Sequence, residues 1–501
     1  METASVPSNP GRVASDSASY RLEDWQGGNQ SLKQEYDYWI EDVEGTIPPD
    51  LEGTLYRNGP ALLDLNGDRV QHPFDGDGMI HAIAFTGGRA HYRNRFVRTK
   101  GFVEEQTAGT RLYRGVFGTQ KSGGWLANAF DFRLKNIANT NVVYWGDRLM
   151  ALWEASHPHR INPYTLRTEG IETLDGVLSE GSPFAAHPMI DPGDDQHEPR
   201  YVSFGLEAGL STTLHLYELD ASGTVVRQGQ HSLPGFAFIH DFAITPNYCL
   251  FFQNPLGFNP LPFVLGFRGA AECISFKVNE PTKVWVIPRD PSGEVRTVET
   301  PSGFVFHHAN AFEDGDEIVV DSIAYEDFPA LEHDSSYQEV DFDQVPPGQL
   351  WRFRLNLATG EANRRKIVSR SCDMPYVHPR CIAHRHHWVY LGAADQAEGN
   401  APMQAILKVN PDTGEQQIWS AAPKGFVGEP IFVPRPSSEA EDDGWVMTLV
   451  YDAEHHRTDL VILDGRDLGN GAIARLHLQN HIPYGLHGCF TPDVVGVPPE
   501  R

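Results

Sequence analysis

Four histidines in the sequence share a local pattern that suits metal binding. Each one follows a short apolar run that predicts a β-strand and precedes a polar or turn-forming residue, as in SPFAAHPMIDP and GFAFIHDFAITP. Imidazole nitrogen binds iron, zinc, copper and nickel alike, so this residue type predicts a transition-metal site without selecting the metal. A single histidine of this kind is more often a core residue, and only the set as a whole favours the metal site. The four are His187, His240, His307 and His487.

Three acidic residues in apolar surroundings could support these histidines. Four neutral imidazoles leave the positive charge of a metal ion uncompensated, and carboxylates that accept from the second ring nitrogen would offset it and orient the rings. Glu154, Asp373 and Glu429 each lie in an apolar run, where an unpaired acid would be costly. An acid exposed at a strand end would fit the same spacing.

Seven hairpin turns mark the elements that must position these residues. Alternating runs rich in Val, Ile, Tyr, Phe and Trp recur along the chain, and each ends at a Gly, Asn or Asp turn. The turns at Asn356, Asn410 and Asp464 are 54 residues apart. Similar turns occur at Thr86, Asn162, Asp220 and Asp290. These repeats predict an all-β fold, a seven-bladed β-propeller with insertions, although an irregular sandwich or two β domains would share the same signals.

The spacing of the histidines fits that architecture. Successive members of the set are 53, 67 and 180 residues apart, close to one, one and three repeats. Because the innermost strand of every blade faces the propeller axis, we expect the four imidazoles to converge there from separate blades. His308 directly follows His307, and the alternation of side chains along a strand points it to the opposite face.

Composition narrows the class of protein. The chain has 501 residues, 40% of them hydrophobic, and its formal net charge of −27 argues against a nucleic-acid partner. The five cysteines are scattered and form no C-x-x-C pair, so no disulfide framework is expected, in keeping with a cytoplasmic location. Residues 1–20 lack the apolar stretch of a secretory signal, and we expect a disordered leader there and a single catalytic domain over residues 21–501.

Several motifs together resemble the carotenoid cleavage oxygenases, and among them the cyanobacterial apocarotenoid 15,15′-oxygenases. The similarity extends from EYDYWIEDVEGTIPPDLEGTLYRNGP to the last histidine segment, and HPFDGDGMIHAIAF, FHHANAFE and GEPIFVPRP are its most specific parts. The resemblance implies a propeller with a small helical cap over the face that carries the active site. It also implies that Fe(2+) binds to His187, His240, His307 and His487, with no catalytic side chain beyond the metal centre.

The resemblance assigns supporting roles to four more residues. Glu154, Glu429 and position 373 match the family's second-shell glutamates, but relatives have Glu-Phe-Pro where this chain has Asp373-Met374-Pro375. Aspartate is one methylene shorter, so its contact with a histidine could be longer, water-bridged or reached by a backbone shift. Thr140 matches a position beside an open coordination site of the iron, although a turn threonine bonded to local backbone is an equal alternative.

The implied reaction is oxidative cleavage of a C=C bond by O2. The expected substrate is an apocarotenoid such as β-apo-8′-carotenal, cleaved at the 15,15′ bond to retinal-type aldehydes. The same chemistry on a stilbenoid or a full-length carotenoid is the nearest alternative. A non-catalytic propeller that serves as a binding module, with structural histidines, is an alternative of a different class.

An apolar polyene needs an apolar passage to the metal and a route out of the membrane. The aromatic residues nearest to the motifs are tunnel candidates, although plain core positions would use the same residues. They are Phe74, Phe117, Trp153, Phe238 and Phe306. Residues 123–140 and the proline-broken stretch 250–267 are expected to form helical insertions that cap one face. Residues 125–132 and 250–267 could then contact the bilayer surface peripherally or, alternatively, stay buried in the cap. We expect a monomer.

Overall fold

Seven antiparallel sheets form the body of the computed structural model, which describes residues 19–195, 197–329 and 337–498. Blades 1 to 7 are numbered along the chain, and the strands of each blade are given from the axis outward. Blade 1 contains Gly488–Thr491, Gly53–Leu62, Asp77–Thr86, Arg89–Phe96 and Asp37–Trp39. Blade 2 contains Asn141–Trp145, Arg148–Leu152, His159–Ile161 and Thr168–Ile171. Blade 3 contains Met189–Asp191, Arg200–Glu207, Thr212–Leu219 and Val225–Leu233.

The remaining blades repeat this four-stranded plan. Blade 4 contains Ala243–Ile244, Tyr248–Gln253, Thr282–Pro288 and Arg296–Thr300. Blade 5 contains Phe304–Asp314, Glu317–Tyr325, Gln349–Asn356 and Ala362–Lys366. Blade 6 contains Cys372–Tyr376, Val389–Ala394, Met403–Val409 and Gln416–Ser420. Blade 7 contains Gly425–Val427 and Ile431–Pro434, which both pair with Gly444–Asp452, followed by Arg457–Asp464, Ala472–His477 and Val43–Gly45. The prediction of a seven-bladed propeller is therefore confirmed.

The predicted turns connect the third and fourth strands of the blades. At Asn356 and Asn410 the side-chain oxygen accepts hydrogen bonds from the backbone N–H groups two and three residues later. Asn162 makes the same pair of bonds. This local bonding is what makes Asn and Asp recur at one place in each repeat.

Both ends of the described chain close the ring. The strand Gly488–Thr491 pairs with Gly53–Leu62 in blade 1, and Val43–Gly45 pairs with Ala472–His477 in blade 7. Each of these two sheets therefore contains strands from opposite ends of the sequence. The predicted leader at residues 1–20 lies outside the described residues as far as residue 18, and Ser19 and Tyr20 contact Gln404 and Phe342.

Helices are short and lie between strands. They are Leu22–Gly27, Lys100–Ala108, Gly124–Asn128 and Pro260–Val264, with 3-10 turns at Pro73–Asp75, Ala271–Cys273, Tyr337–Glu339, Phe342–Gln344, Pro379–Cys381 and Leu468–Asn470. Two further hairpins join Asp64–Leu65 to Asp68–Arg69 and Leu256–Phe258 to Ile274–Phe276. Among the described residues, no helix is long and apolar enough to cross a membrane.

The predicted helical insertions need correction. Only Gly124–Asn128 is helical within residues 123–140, and Leu250 to Gln253 belong to the buried second strand of blade 4 rather than to a cap. Leu250 and Phe252 pair with Val286 and Val284 of the next strand, and Phe251 is buried on the other face. A fully buried strand is apolar on both faces, so an apolar run alone does not distinguish it from a helical cap. The helix Lys100–Ala108 was not predicted, although Thr99 caps its start and Gly109, at φ 66°, ends it.

Candidate metal centre

The four histidines meet at the axis of the propeller. His187, His240 and His487 lie one to three residues before the innermost strands of blades 3, 4 and 1, and His307 lies within that of blade 5. One ring nitrogen from each lies within 4.8 Å of the others, and the Nε2 atoms of His187 and His240 are 2.9 Å apart. The arrangement is a candidate metal site.

The donor atoms of this cluster fit a metal ion. The Nε2 atom of His307 is buried and has no hydrogen-bond partner among the described residues. Burial, together with the nearby imidazoles, holds the pKa of His187 well below its usual range, so this ring is neutral and its nitrogen lone pair is available. A cation at the centre would satisfy nitrogens that otherwise face one another.

Three carboxylates accept hydrogen bonds from the outer ring nitrogens. The Nδ1 atom of His240 is 2.6 Å from Glu154 Oε2, and that of His487 is 2.7 Å from Glu429 Oε1. The Nδ1 atom of His307 is 2.6 Å from Asp373 Oδ1. Each bond fixes the tautomer that leaves Nε2 free for a metal.

Asp373 reaches His307 directly, so the contact is neither longer nor water-bridged. The pairing of its strand with the next one shifts register between Asp373 and Tyr376, and Met374 adopts a left-handed φ of 54°. This local bend of the backbone accompanies the shorter side chain. Burial raises the pKa of Asp373, but the adjacent His307 and the hydroxyl of Tyr325 lower it by more. The net pKa lies below the usual value, so the carboxylate is ionised.

The three carboxylates differ in what supports them. Arg57 forms a buried ion pair with Glu429 and donates to the carbonyl of Leu486 at 2.9 Å. The hydroxyl of Tyr325 donates to Asp373 Oδ2 at 2.7 Å. Sequence reasoning missed Arg57 and Tyr325. For Arg57 a signal existed, because a cation in the middle of the apolar strand GTLYRNGPAL needs a buried partner.

Thr140 lies beside the cluster. Its carbonyl accepts a hydrogen bond from the backbone N–H of His487 at 3.2 Å, and its hydroxyl donates to the side chain of Asn139 at 3.2 Å. His308 points away, as strand alternation predicts, because its Nδ1 lies 2.8 Å from Ser322 Oγ.

The aromatic tunnel candidates fall into two groups. Phe306 stacks on the ring of His240 with centroids 4.2 Å apart and an interplanar angle of 8°. Trp153 directly precedes Glu154 in the sequence, and Phe238 lies two residues before His240. Phe74 and Phe117 are 5.3 Å apart and form a separate cluster.

Four tyrosines that sequence reasoning did not single out are only partly exposed. Burial raises the pKa of each, and that of Tyr337 to about 12. The four are Tyr325, Tyr337, Tyr376 and Tyr484.

An exposed apolar patch lies on two neighbouring insertions. Trp125, Leu126, Phe130 and Phe132 are 50–72% exposed, and Leu261 and Phe267 from the second insertion are also exposed. The rings of Trp125 and Phe267 are 5.4 Å apart, and the N–H of Phe130 donates to the carbonyl of Val264 at 2.8 Å. We call these six residues the apolar patch. A cavity of about 410 Å³ opens beside it, lined by Gln71, Gly118 and Thr119 among others.

Comparison with known proteins gives consistent matches over nearly the whole chain. The family model RPE65, retinal pigment epithelial membrane protein, matches residues 29–492. The apocarotenoid-15,15′-oxygenase of Synechocystis is 53% identical over 476 residues, covering 94% of this chain and 97% of that protein. Lignostilbene-α,β-dioxygenase isozyme III of Sphingomonas paucimobilis is 29% identical, covering 92% and 95%. The crystal structure of cobalt-substituted Synechocystis ACO superimposes with a TM-score of 0.93 at 53% identity, covering 95% of this chain and 99% of that one.

Proposed function

The chain belongs to the RPE65 family, which includes carotenoid cleavage dioxygenases, and we propose that it cleaves the 15,15′ double bond of an apocarotenoid with O2. An apocarotenoid such as β-apo-8′-carotenal would yield retinal-type aldehydes. The observation that carries the proposal is the convergence of four buried imidazoles, three of them bonded to carboxylates, in a chain 53% identical to an apocarotenoid-15,15′-oxygenase.

We propose Fe(2+) as the metal of this site. His187, His240, His307 and His487 would hold it, because imidazole is a ligand that suits iron. When bound there, ferrous iron would supply the activation of O2, which side chains cannot perform. The cobalt-substituted form of a close relative supports a first-row transition metal at an equivalent centre.

The protein's own residues would position and enclose the polyene. Glu154, Asp373 and Glu429 keep the histidines in one tautomer, and Arg57 supplies a compensating positive charge beside Glu429. Phe306, with Trp153 and Phe238 near it, would present an apolar wall that excludes water from the centre. Phe74 and Phe117 would extend this wall, and Thr140 would border the open side of the metal.

The apolar patch would contact a membrane surface peripherally. Two of its six side chains, Trp125 and Phe267, line the cavity beside the patch, so a polyene dissolved in the bilayer would meet the protein next to an opening in its surface. Residues 125–132 and part of 250–267, from Leu261 onward, would make the contact. A monomer acting through residues 21–501 as one catalytic domain suffices for this arrangement, since all the groups named lie on one chain.

Metal analysis combined with O2 uptake tests the function. We expect about one iron per chain, and O2 uptake with β-apo-8′-carotenal that releases retinal. Lignostilbene and β-carotene serve as controls for the two related chemistries. Cleavage of either control in preference to the apocarotenal would reassign the substrate. A folded chain that binds no iron would overturn every enzymatic reading and leave a binding module.

A further inference from the structure

His72 is a buried histidine that none of the roles above uses. It lies directly before the 3-10 turn Pro73–Asp75, and its Nδ1 accepts a hydrogen bond from the backbone N–H of Phe74 at 3.2 Å. Burial lowers the pKa of His72 to about 3, so the ring is neutral. A neutral imidazole whose Nδ1 is an acceptor carries its proton on Nε2, and His72 therefore offers one N–H donor there.

That donor faces aromatic rings. The ring centroids of Phe74 and Tyr337 lie 4.6 Å from that of His72, and the centroid of Phe117 lies 5.4 Å away. Within residues 19–195, 197–329 and 337–498, no oxygen or nitrogen accepts a hydrogen bond from Nε2. The Nε2 atom is itself not fully buried, although the residue is. A donor in apolar surroundings without a protein acceptor is unfavourable unless a water or a ligand supplies one.

Sequence neighbours of His72 and of Phe117 line the outer cavity. Gln71 and Gly118, next to His72 and Phe117, line the cavity beside the apolar patch. On the inner side, the carbonyl of Phe74 accepts from Asn139 Nδ2 at 3.0 Å.

From Asn139 the contacts continue to a histidine of the metal cluster. The hydroxyl of Thr140 donates to Asn139 Oδ1, and the carbonyl of Thr140 accepts from the N–H of His487. Tyr337 packs against the same imidazole. A series of hydrogen bonds thus links the turn at His72 to the metal cluster.

Register is a specific problem for an enzyme that cleaves one bond of a polyene. Aromatic walls make nearly equal contacts with every part of a conjugated chain, so they hold it without fixing which double bond lies at the metal. One polar contact at the end of the chain can fix that register. The donor of His72 lies among aromatic rings, where a single polar contact would stand out against apolar surroundings.

We propose that His72 donates a hydrogen bond from Nε2 to the terminal oxygen of the polyene, a carbonyl or a hydroxyl, and thereby selects oxygen-ended chains and sets the bond that is cleaved. This inference rests on the proposed function and names the part of the substrate that is recognised. A hydrocarbon of equal length would leave the donor unpaired and bind less well.

Two variants separate the donor from the turn that His72 supports. In His72→Asn the side-chain oxygen can still accept from the N–H of Phe74, but the Nε2 donor is lost. In His72→Gln the amide nitrogen reaches toward the position of Nε2, and the turn loses its acceptor. The probes are β-apo-8′-carotenal and the hydrocarbon in which a methyl group replaces its aldehyde.

Affinity is measured without O2 by quenching of tryptophan fluorescence, so no turnover is needed. We expect the wild type to prefer the aldehyde, and His72→Asn to lose a factor of about 2 to 13 in that preference, which corresponds to about 0.5–1.5 kcal/mol for one neutral hydrogen bond. His72→Gln should retain most of it, and the Kd of the hydrocarbon should stay constant. The Raman C=O stretch of the bound aldehyde should be lower in the wild type than in His72→Asn.

The outcomes distinguish this proposal from the proposed function. Equal preference and an equal C=O stretch in wild type and His72→Asn would overturn the role of His72 while leaving the function intact. Failure of both polyenes to bind the wild type would instead overturn the function. If a variant does not fold, the wild type alone decides. Equal affinity for the aldehyde and the hydrocarbon, with a C=O stretch equal to that in apolar solvent, would overturn the role of His72. In O2, loss of register in His72→Asn should add products cleaved at neighbouring double bonds.

Discussion

The guanidinium of Arg57 and the carboxylate of Glu429 form a buried ion pair between blade 1 and the segment that joins the two inner strands of blade 7. The other oxygen of Glu429 accepts a hydrogen bond from His487, so Glu429 links the guanidinium of Arg57 to a ring of the metal cluster. Burial raises the pKa of Glu429, but Arg57 and His487 lower it by more, so the net pKa lies below the usual value. Beside the histidines there are therefore two carboxylates, Asp373 and Glu429, whose pKa is lowered, and the guanidinium of Arg57.

Removal of Arg57 should destabilise the fold and weaken metal binding. Arg57→Met leaves Glu429 buried beside an uncharged side chain, and breaking a buried pair in this way costs about 3–5 kcal/mol. The free energy of unfolding, measured by urea denaturation, should fall by that amount, and iron content should fall with it. Lys277→Met, which removes an exposed pair with Glu280 at 3.1 Å, is the control and should cost less than about 1 kcal/mol. Similar losses in both variants would contradict the role of Arg57.

Asp373 should matter for metal affinity through its charge. Asp373→Asn keeps the shape but provides a weaker acceptor for His307, and loss of such a bond lowers metal affinity about 10- to 100-fold. Competition with a chelator for Co(2+) measures this change without turnover. Tyr325→Phe removes only the hydroxyl that donates to the far oxygen of Asp373, and its effect should be smaller. An Asp373→Asn variant with unchanged affinity would show that the hydrogen bond has no such function.

The longer acid at the same position tests the difference from relatives. Asp373 already contacts His307 directly, so Asp373→Glu adds a methylene to an occupied space and should cost about 1–3 kcal/mol of stability. Thermal denaturation and iron content measure the two consequences separately. Unchanged stability and turnover would show that the bent backbone at Met374 accommodates either acid.

The apolar patch should control membrane binding. Leu126→Ser combined with Phe132→Ser removes two exposed apolar side chains, each worth about 1.5–3 kcal/mol when fully buried, and should lower liposome binding at least about tenfold. Co-flotation with phosphatidylcholine vesicles measures it. Leu210→Ser, at a fully exposed leucine outside the patch, is the matched control. Phe258 and Phe263 are less suitable targets, since both are half-buried. Equal binding of all three proteins would exclude the patch as the contact.

Stability should fall in mild acid because several buried histidines are neutral. Burial lowers the pKa of His72 and His81 to about 3 and that of His159 to about 4, whereas in the unfolded chain each is near 6.5. Below pH 6.5 the unfolded chain takes up more protons, so stability is lost from there down to about pH 3, where the folded-state pKa values of His72 and His81 lie. Each such group contributes about 1.4 kcal/mol per pH unit. Urea denaturation between pH 4 and 8 measures the slope, and His81→Gln should reduce it by one group's share. A slope unaffected by that variant would contradict the assignment.

The sequence predicted those features of the fold that depend on local signals. Asn162, Asn356 and Asn410 form turns with their own neighbours, so their spacing reveals the repeat. The histidines were found because each follows an apolar run that predicts a strand, and their spacing then fitted the repeat. Arg57 and Glu429 are 372 residues apart in sequence, and no local pattern joins them. The contact of Tyr337 with His72 likewise depends on which loops meet in the fold.

The closure of the ring also sets the order of assembly during synthesis. His487 and the strand Gly488–Thr491, which pairs with Gly53–Leu62, are synthesised after the other three histidines. Three imidazoles are therefore available long before the fourth, and the first sheet stays open at its inner edge until this strand is added. Closure of the propeller and completion of the four-histidine cluster are then a single event.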